Sequence, residues 1–116
     1  MKLNFRKAGS GDLEFLLNLE RESFPEFQQT SASNLKNGLK SSFQELIIAE
    51  NAADNQPVAS AVLFKYKHML RLYSISVALQ YRKEGIGNAI MEYIKAFALS
   101  NNFRSITLEV RESQSK

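Results

Sequence analysis

The sequence contains no cysteine among its 116 residues, which excludes disulfide scaffolds, thiolate metal sites and cysteine nucleophiles. It also lacks any apolar run that approaches the roughly 20 residues needed to span a bilayer. Residues 1–7 show no apolar segment followed by a small-residue cleavage site, so no secretory signal is expected. These absences favour a globular protein in the cytoplasm.

Potential metal ligands are scarce and scattered. His68 is the single histidine, and we expect it to be exposed in a turn. No group of His, Asp and Glu residues has the spacing of metal ligands. The sequence therefore predicts no metal site.

Charge of either sign is only weakly in excess. Lys and Arg number 15 against 12 Asp and Glu, which gives a formal net charge of +3. Such a balance is typical of a solvated surface and is compatible with a polyphosphate ligand. Basic and aromatic side chains alternate within residues 65–71, where a solvated hairpin end is a simpler interpretation than a nucleic-acid face. Neither nucleic acid nor a membrane is an expected partner.

Apolar periodicity predicts alternating strands and helices in a single domain, residues 1–116. The predicted strands cover 2–7, 46–49, 58–66, 70–77 and 103–111. The predicted helices cover 13–22, the segment marked by Leu35, Leu39 and Phe43, and a third segment from Ile86 to about Ser100. A polar turn at 51–57 predicts a hairpin between the second and third strands. The order β-α-α-β-β-β-α-β indicates an α+β fold, or mixed α/β sandwich.

The strand before the third helix has an irregular apolar phase. Leu70 and Leu72 share one face by period-two counting, whereas Tyr73, Ile75 and Val77 share the other. A strand buried on both faces produces this pattern, and so does a β-bulge that inserts one residue and bends the strand. Both alternatives stay open at this point.

A short loop with two basic residues and two glycines joins that strand to the third helix. It reads Arg82-Lys83-Glu84-Gly85-Ile86-Gly87. A helix start has unpaired N–H groups and a positive dipole end, which favour phosphate. The glycines allow close approach, and the two basic side chains add charge-assisted contacts. The loop therefore predicts a phosphate site, although it is neither a P-loop nor a dinucleotide fingerprint.

This loop matches the acyl-CoA signature of the GNAT N-acetyltransferase family, Arg/Gln-x-x-Gly-x-Gly/Ala, and the chain resembles that family in element order. The resemblance implies transfer of an acetyl group from acetyl-CoA to a primary amine, which is a protein N-terminus, a lysine or a small amine. It also implies a bulge in the preceding strand, whose backbone pairs with the pantetheine arm, while the loop holds the pyrophosphate. The residues so assigned to acetyl-CoA are Ile75, Ser76, Val77, Arg82, Lys83, Glu84, Gly85, Ile86, Gly87 and Asn88.

Two further segments resemble the subgroup that acetylates protein N-termini, including those of ribosomal proteins. They are residues 19–25 and residues 108–111. By this resemblance Glu109 is the general base, and alternation places it opposite the inward-facing Leu108 and Val110. The family's usual acid is a tyrosine from a later helix, so Tyr73 and Tyr81 are candidate substitutes here, and we select Tyr73.

GNAT domains continue past the Leu-Glu-Val-Arg strand with a helix and two strands, whereas this chain ends at Lys116. The resemblance therefore implies a C-terminally truncated domain. We expect strand 103–111 to form an exposed apolar edge that pairs with a second copy. Two functions stay open for such a chain. One is an N-acetyltransferase or its cofactor-binding fragment, and the other is a non-catalytic module that binds acyl-CoA or a protein.

Overall fold

A computed structural model describes residues 1–108 of the chain. In chain order the elements are β1 (Leu3–Lys7), α1 (Leu13–Ser23), α2 (Ala32–Lys40), β2 (Gln44–Asn51), β3 (Pro57–Lys65), β4 (Met69–Val77), α3 (Ile86–Ser100) and β5 (Ser105–Leu108). Short 3-10 turns occur at Ser10–Asp12, Glu26–Gln28 and Leu79–Tyr81. This order confirms the predicted α+β arrangement.

The five strands lie in the sheet in the order of the sequence, β1-β2-β3-β4-β5. The first three pairings are antiparallel, which confirms the predicted hairpin between β2 and β3. The last pairing, between β4 and β5, is parallel, and α3 makes the crossover that a parallel pair requires.

Each face of the sheet carries its own apolar core. On one face Ile86, Ile90 and Ile94 of α3 pack in a cluster with Leu63 and Leu72. Each fully buried aliphatic side chain of this kind contributes about 1.5–3 kcal/mol relative to an exposed one.

On the opposite face, Leu16 of α1 and Leu35 of α2 pack with Leu46 and Ile48 of β2. Ile47, which lies between those two residues, belongs to the α3 cluster. Strand β2 is thus buried on both faces, which explains why the sequence shows a continuous apolar run there.

A β-bulge interrupts β4 at Tyr73, so this one of the two alternatives for the irregular strand is confirmed. Leu63 of β3 lies opposite Leu72, whereas the adjacent Val62 lies opposite Ser74. The extra residue shifts the side-chain phase by one. Leu72 before the bulge and Ile75 after it therefore both pack on the α3 side.

The start of α1 is fixed by a partly buried ion-pair network at the end of β1. The Arg6 guanidinium donates to both carboxylate oxygens of Asp12, at 2.7 and 2.8 Å, and to Glu50 at 2.7 Å. The hydrogen bonds from Arg6 hold the pKa of Asp12 below its usual value, in spite of burial that acts in the opposite direction. This network links the residue that precedes α1 to strands β1 and β2.

Two details of the predicted elements are wrong. Phe43 does not extend the second helix, because the Ser41 hydroxyl accepts the N–H groups of Phe43 and Gln44 and ends α2 at Lys40. Leu108 does not face inward into a core, because it lies on the edge strand β5 and is 59% exposed.

Within residues 1–108, no helix has the length and apolar character needed to cross a membrane.

Candidate functional site

The turn between β4 and α3 contains two residues in the left-handed backbone region. After the 3-10 turn, Lys83 has φ of 68° and Gly85 has φ of 78°, and α3 begins at Ile86. Glycine adopts this conformation without steric cost, whereas a lysine in it costs roughly 1–2 kcal/mol. A strained non-glycine residue of this kind is typical of functional sites.

The start of α3 is open on its outer side. No side chain caps the helix, because Gly85 occupies the N-cap position. A Cβ atom added to Gly85 or Gly87 would have no neighbouring atom within 4 Å. The first turn of α3 is therefore uncrowded at both glycines and has no side-chain cap, which is compatible with an anion such as phosphate at the first N–H groups.

Arg82 connects this turn to the C-terminal end of α1. Its Nε donates to the Val77 carbonyl at 3.0 Å, and its Nη2 donates to Ser23 Oγ at 3.2 Å and to the Glu22 carbonyl at 3.4 Å. Its Nη1 is buried and has no hydrogen-bond partner among residues 1–108. Arg82 therefore links the turn to β4 and to the end of α1. Its contact with phosphate stays a prediction.

A second bond joins the same two parts of the chain. The Glu22 carboxylate accepts the backbone N–H of Leu79 at 2.9 Å. Neither Glu22 nor Ser23 was predicted to belong to the site, since no spacing rule relates α1 to a turn more than 50 residues later. The resemblance of residues 19–25 to one GNAT subgroup was the only signal for them.

The other residues assigned to acetyl-CoA surround the turn in different ways. Lys83, Glu84 and Asn88 are exposed, whereas the Ile86 side chain is 3% exposed in the core and offers only its backbone. Ile75 and Val77 also direct their side chains toward the α3 core. In these positions it is the backbone of β4 and α3 that can meet a ligand.

The described pairing of β4 with β5 extends from Met69 to Leu72, which lies opposite Leu108, the last described residue of β5. The Val77 carbonyl is engaged by Arg82. Ala78 bonds to Val58 of β3, so by alternation the Ser76 backbone also faces β3, whereas the backbone of Ile75 faces the other edge of β4, where an extended ligand arm could pair.

The two candidate catalytic residues have different outcomes. Glu109 lies outside the described residues. Tyr73 is the extra residue of the bulge, and its ring packs edge-on against Phe64 with centroids 5.6 Å apart. It also lines a cavity of about 590 Å³ between the sheet and the connection from α1 to α2.

The described residues offer no metal centre. In residues 1–108, no group of three or more His, Cys, Asp and Glu side chains could hold a metal ion. His68 lies exposed in the loop between β3 and β4.

Comparison with known proteins gives one family. The model of the acetyltransferase (GNAT) family matches residues 13–116. No curated protein matches the sequence significantly.

Solved structures share the fold at low sequence identity. The ribosomal-protein-S18-alanine N-acetyltransferase from Escherichia coli superposes with a TM-score of 0.81 at 17% identity, covering 98% of this chain and 70% of that one. The PaiA N-acetyltransferase from Thermoplasma acidophilum, solved in complex with coenzyme A, gives 0.75 at 18% identity, covering 87% and 74%. The ribosomal-protein-alanine N-acetyltransferase from Brucella melitensis gives 0.77 at 13%, covering 95% and 82%.

Proposed function

The chain belongs to the acetyltransferase (GNAT) family, and on that premise we propose that it transfers the acetyl group of acetyl-CoA to a primary amine. The observation that carries this proposal is the succession within residues 73–88 of a bulged strand, two left-handed residues and an uncapped helix start. A solved neighbour that contains coenzyme A supports it. The cytoplasmic location expected from the sequence belongs to the same proposal.

In this proposal the pyrophosphate of acetyl-CoA lies over the start of α3. The N–H groups of Ile86, Gly87 and Asn88 point along the helix axis toward it, and the helix dipole adds to the attraction. Lys83 supplies a positive charge from an exposed position. The pantetheine arm pairs with the backbone of Ile75, on the edge of β4 that faces away from β3.

The acetyl transfer needs a neutral amine, although an α-amino group has a pKa of about 8 and a lysine side chain one of about 10.4. We assign proton removal to Glu109. The amine nitrogen then forms a bond to the thioester carbonyl carbon, while a backbone N–H freed by the bulge donates to the carbonyl oxygen. The carbon–sulfur bond breaks, and in this proposal Tyr73 gives a proton to the departing thiolate.

Acetyl-CoA is expected to raise the melting temperature, because binding to the native state stabilises it by mass action. At a concentration 100 times Kd the gain is about 2.7 kcal/mol, or roughly 10 °C for a domain of this size. The measurement is a thermal-shift titration, with adenosine, which has no pyrophosphate, as the control ligand. An unchanged melting temperature at millimolar acetyl-CoA would refute the proposal.

Release of free thiol from acetyl-CoA separates the enzyme from the non-catalytic alternative. The acceptor panel consists of peptides with free N-termini, lysine peptides and small amines. We expect turnover with at least one acceptor class. Binding of acetyl-CoA without turnover on any of them would assign the chain to the non-catalytic acyl-CoA-binding module instead.

We also propose that β5 mediates pairing between two copies of the chain. It is one of the two edge strands of the described sheet, the other being β1, and it exposes Leu108; such an edge is a template for another strand. Light scattering is expected to show a dimer that forms as concentration rises, and Leu108→Lys is expected to weaken it. A single monomeric species at high concentration in the unmodified chain would contradict this pairing.

A further inference from the structure

Another concave surface lies at the end of α3 that is remote from the turn of residues 82–87. It is a recess of about 710 Å³ between the loop that joins β3 to β4 and the segment that joins α3 to β5. This volume is within the range of roughly 300–1,000 Å³ that is typical of small-ligand sites. Helix α3 has 15 residues, so at about 1.5 Å per residue the two surfaces are roughly 20 Å apart. The recess is therefore distinct from the site proposed for acetyl-CoA.

Three basic side chains line this recess, and they come from two separate segments. Lys67 and His68 belong to the β3–β4 loop, and Arg104 precedes β5. The backbone N–H of Arg104 donates to the His68 carbonyl at 2.7 Å, which holds the two segments together. All three residues are exposed. The basic pattern of residues 65–71 contains only the first two of them, so it is the fold that adds the arginine and forms a cluster.

The charge of this cluster is not neutralised by the described residues. No carboxylate lines the recess among residues 1–108, and none of the three basic side chains has an ion pair or a side-chain hydrogen bond in that part of the chain. Lys67 and Arg104 carry positive charge, and the His68 imidazole offers an N–H donor whether it is neutral or protonated. Phosphate accepts charge-assisted hydrogen bonds from several such donors at once, so the cluster is chemically matched to a phosphate group.

The end of α3 beside the recess has its last carbonyl groups occupied. A helix C-terminus has a partial negative charge, which would repel an anion. The carbonyls of Phe97, Ala98 and Leu99, however, accept backbone N–H groups of residues 101–103 at 3.1, 2.9 and 3.3 Å. Because these oxygens are bonded, their repulsion of an anion is weakened, and the basic side chains dominate the recess.

The recess also has an apolar wall. Leu99 is 79% exposed, and Phe103 is half-buried against the α3 core. Asn101 and Asn102 complete the lining. A nucleobase has flat faces that pack on apolar side chains, and its polar edges can bond with carboxamides. Inorganic phosphate would leave this wall unused, whereas a nucleoside phosphate would contact both the wall and the basic cluster.

We propose that this recess is a second ligand site that binds a nucleoside phosphate. The phosphate contacts Lys67, His68 and Arg104, and the base packs on Leu99 and Phe103. The site is independent of the proposed acetyl transfer, because it lies at the opposite end of α3 and shares no residue with the turn that precedes this helix.

The test is an NMR titration of the ¹⁵N-labelled chain with AMP in the presence of saturating coenzyme A, which fills the turn proposed for it. We expect AMP to shift the amides of His68, Asn102 and Arg104 and to leave those of Gly85 and Gly87 unchanged. Adenosine and inorganic phosphate are the partial ligands. Each is expected to bind at least about tenfold more weakly than AMP, because each lacks one of the two contacts.

Two lysine variants with the same change of net charge provide the matched control. Lys67→Glu is expected to weaken AMP binding at least about fivefold, because it places a negative charge in the recess. Lys36→Glu, at an exposed position of α2 outside the recess, is expected to change it less than about twofold. Leu99→Ser should weaken AMP binding about threefold and leave the binding of inorganic phosphate unchanged, since only the base contacts the apolar wall.

Equal affinities for adenosine and AMP, or equal effects of the two lysine variants, would overturn the proposal, because the basic cluster would then not hold the phosphate. Shifts confined to the turn of residues 82–87 would overturn it too, since AMP would then bind only where coenzyme A does. Binding of single-stranded decaadenylate at least about a hundredfold more tightly than AMP would assign the recess to a nucleic-acid surface instead. None of these outcomes depends on the thermal shift with acetyl-CoA that tests the acetyl-transfer proposal.

Discussion

Arg82→Ala is expected to lower the stability of the free protein and its affinity for acetyl-CoA together. The variant loses three hydrogen bonds, to the Val77 carbonyl, the Ser23 hydroxyl and the Glu22 carbonyl. Because Ser23 is fully buried, its hydroxyl is left without this donor, and the total cost is about 2 kcal/mol. The melting temperature should fall by about 8 °C, and the affinity by about 10–100-fold, since the turn that presents the α3 N–H groups loses its anchor.

Lys83→Ala is the matched control, since it removes the same charge from the same turn. Lys83 is exposed, so its replacement should change the melting temperature by less than about 2 °C and weaken binding only modestly. Calorimetric titration with acetyl-CoA and thermal unfolding of both variants make the comparison. If Arg82→Ala weakens binding but leaves the melting temperature unchanged, Arg82 acts only as a phosphate ligand and its bracing role is wrong.

Deletion of Tyr73 is expected to abolish most turnover while the fold survives. The deletion leaves Leu72 opposite Leu63 and Ser74 opposite Val62, so the strand becomes regular and every later side chain keeps its face. The bulge, however, disappears, and with it the backbone donor proposed for the thioester oxygen. Removal of one such donor typically lowers kcat by about 100–1,000-fold. The measurements are the rate of thiol release and the thermal shift with acetyl-CoA, and the thermal shift should persist.

Tyr73→Phe separates the side chain from the backbone at this position. It keeps the residue count, the bulge and the ring packed against Phe64, and removes only the hydroxyl proposed to protonate the thiolate. We expect a smaller loss of kcat than in the deletion. Equal losses in the two variants would show that the hydroxyl, and not the bulge, is what turnover requires.

The parts of the fold that could be predicted are those in which local spacing determines the structure. The apolar positions of α3 recur at helical intervals, and Ile86, Ile90 and Ile94 are indeed buried. The alternation of apolar residues in β4 shifts by one position at Tyr73. This shift indicated a bulge as one of two alternatives, because an inserted residue must change the alternation of a strand. The turn of residues 82–87 could be located in the same way, since its glycines and basic residues are contiguous, and its binding of phosphate stays a prediction.

Tertiary contacts account for what could not be predicted. Arg82 and Ser23 are 59 residues apart in sequence, and nothing in either segment alone indicates that they meet. The walls of the cavity that Tyr73 lines likewise come from five separate elements and segments, so no single segment of the sequence predicts the cavity. Phe43 was misassigned because an apolar residue at helical spacing cannot reveal that the Ser41 hydroxyl ends the helix first.

The strand order of the sheet has a consequence for how the chain folds. Strands β2, β3 and β4 are joined by the short loops 52–56 and 66–68, so this meander closes at a small loss of conformational entropy. The pairings β1–β2 and β4–β5 each enclose a much longer segment of chain, and closing them costs more entropy. The bulge therefore lies in the part of the sheet that loses the least conformational entropy on closing. The turn of residues 82–87 lies instead within the longer segment that joins β4 to β5, so ordering it costs more entropy.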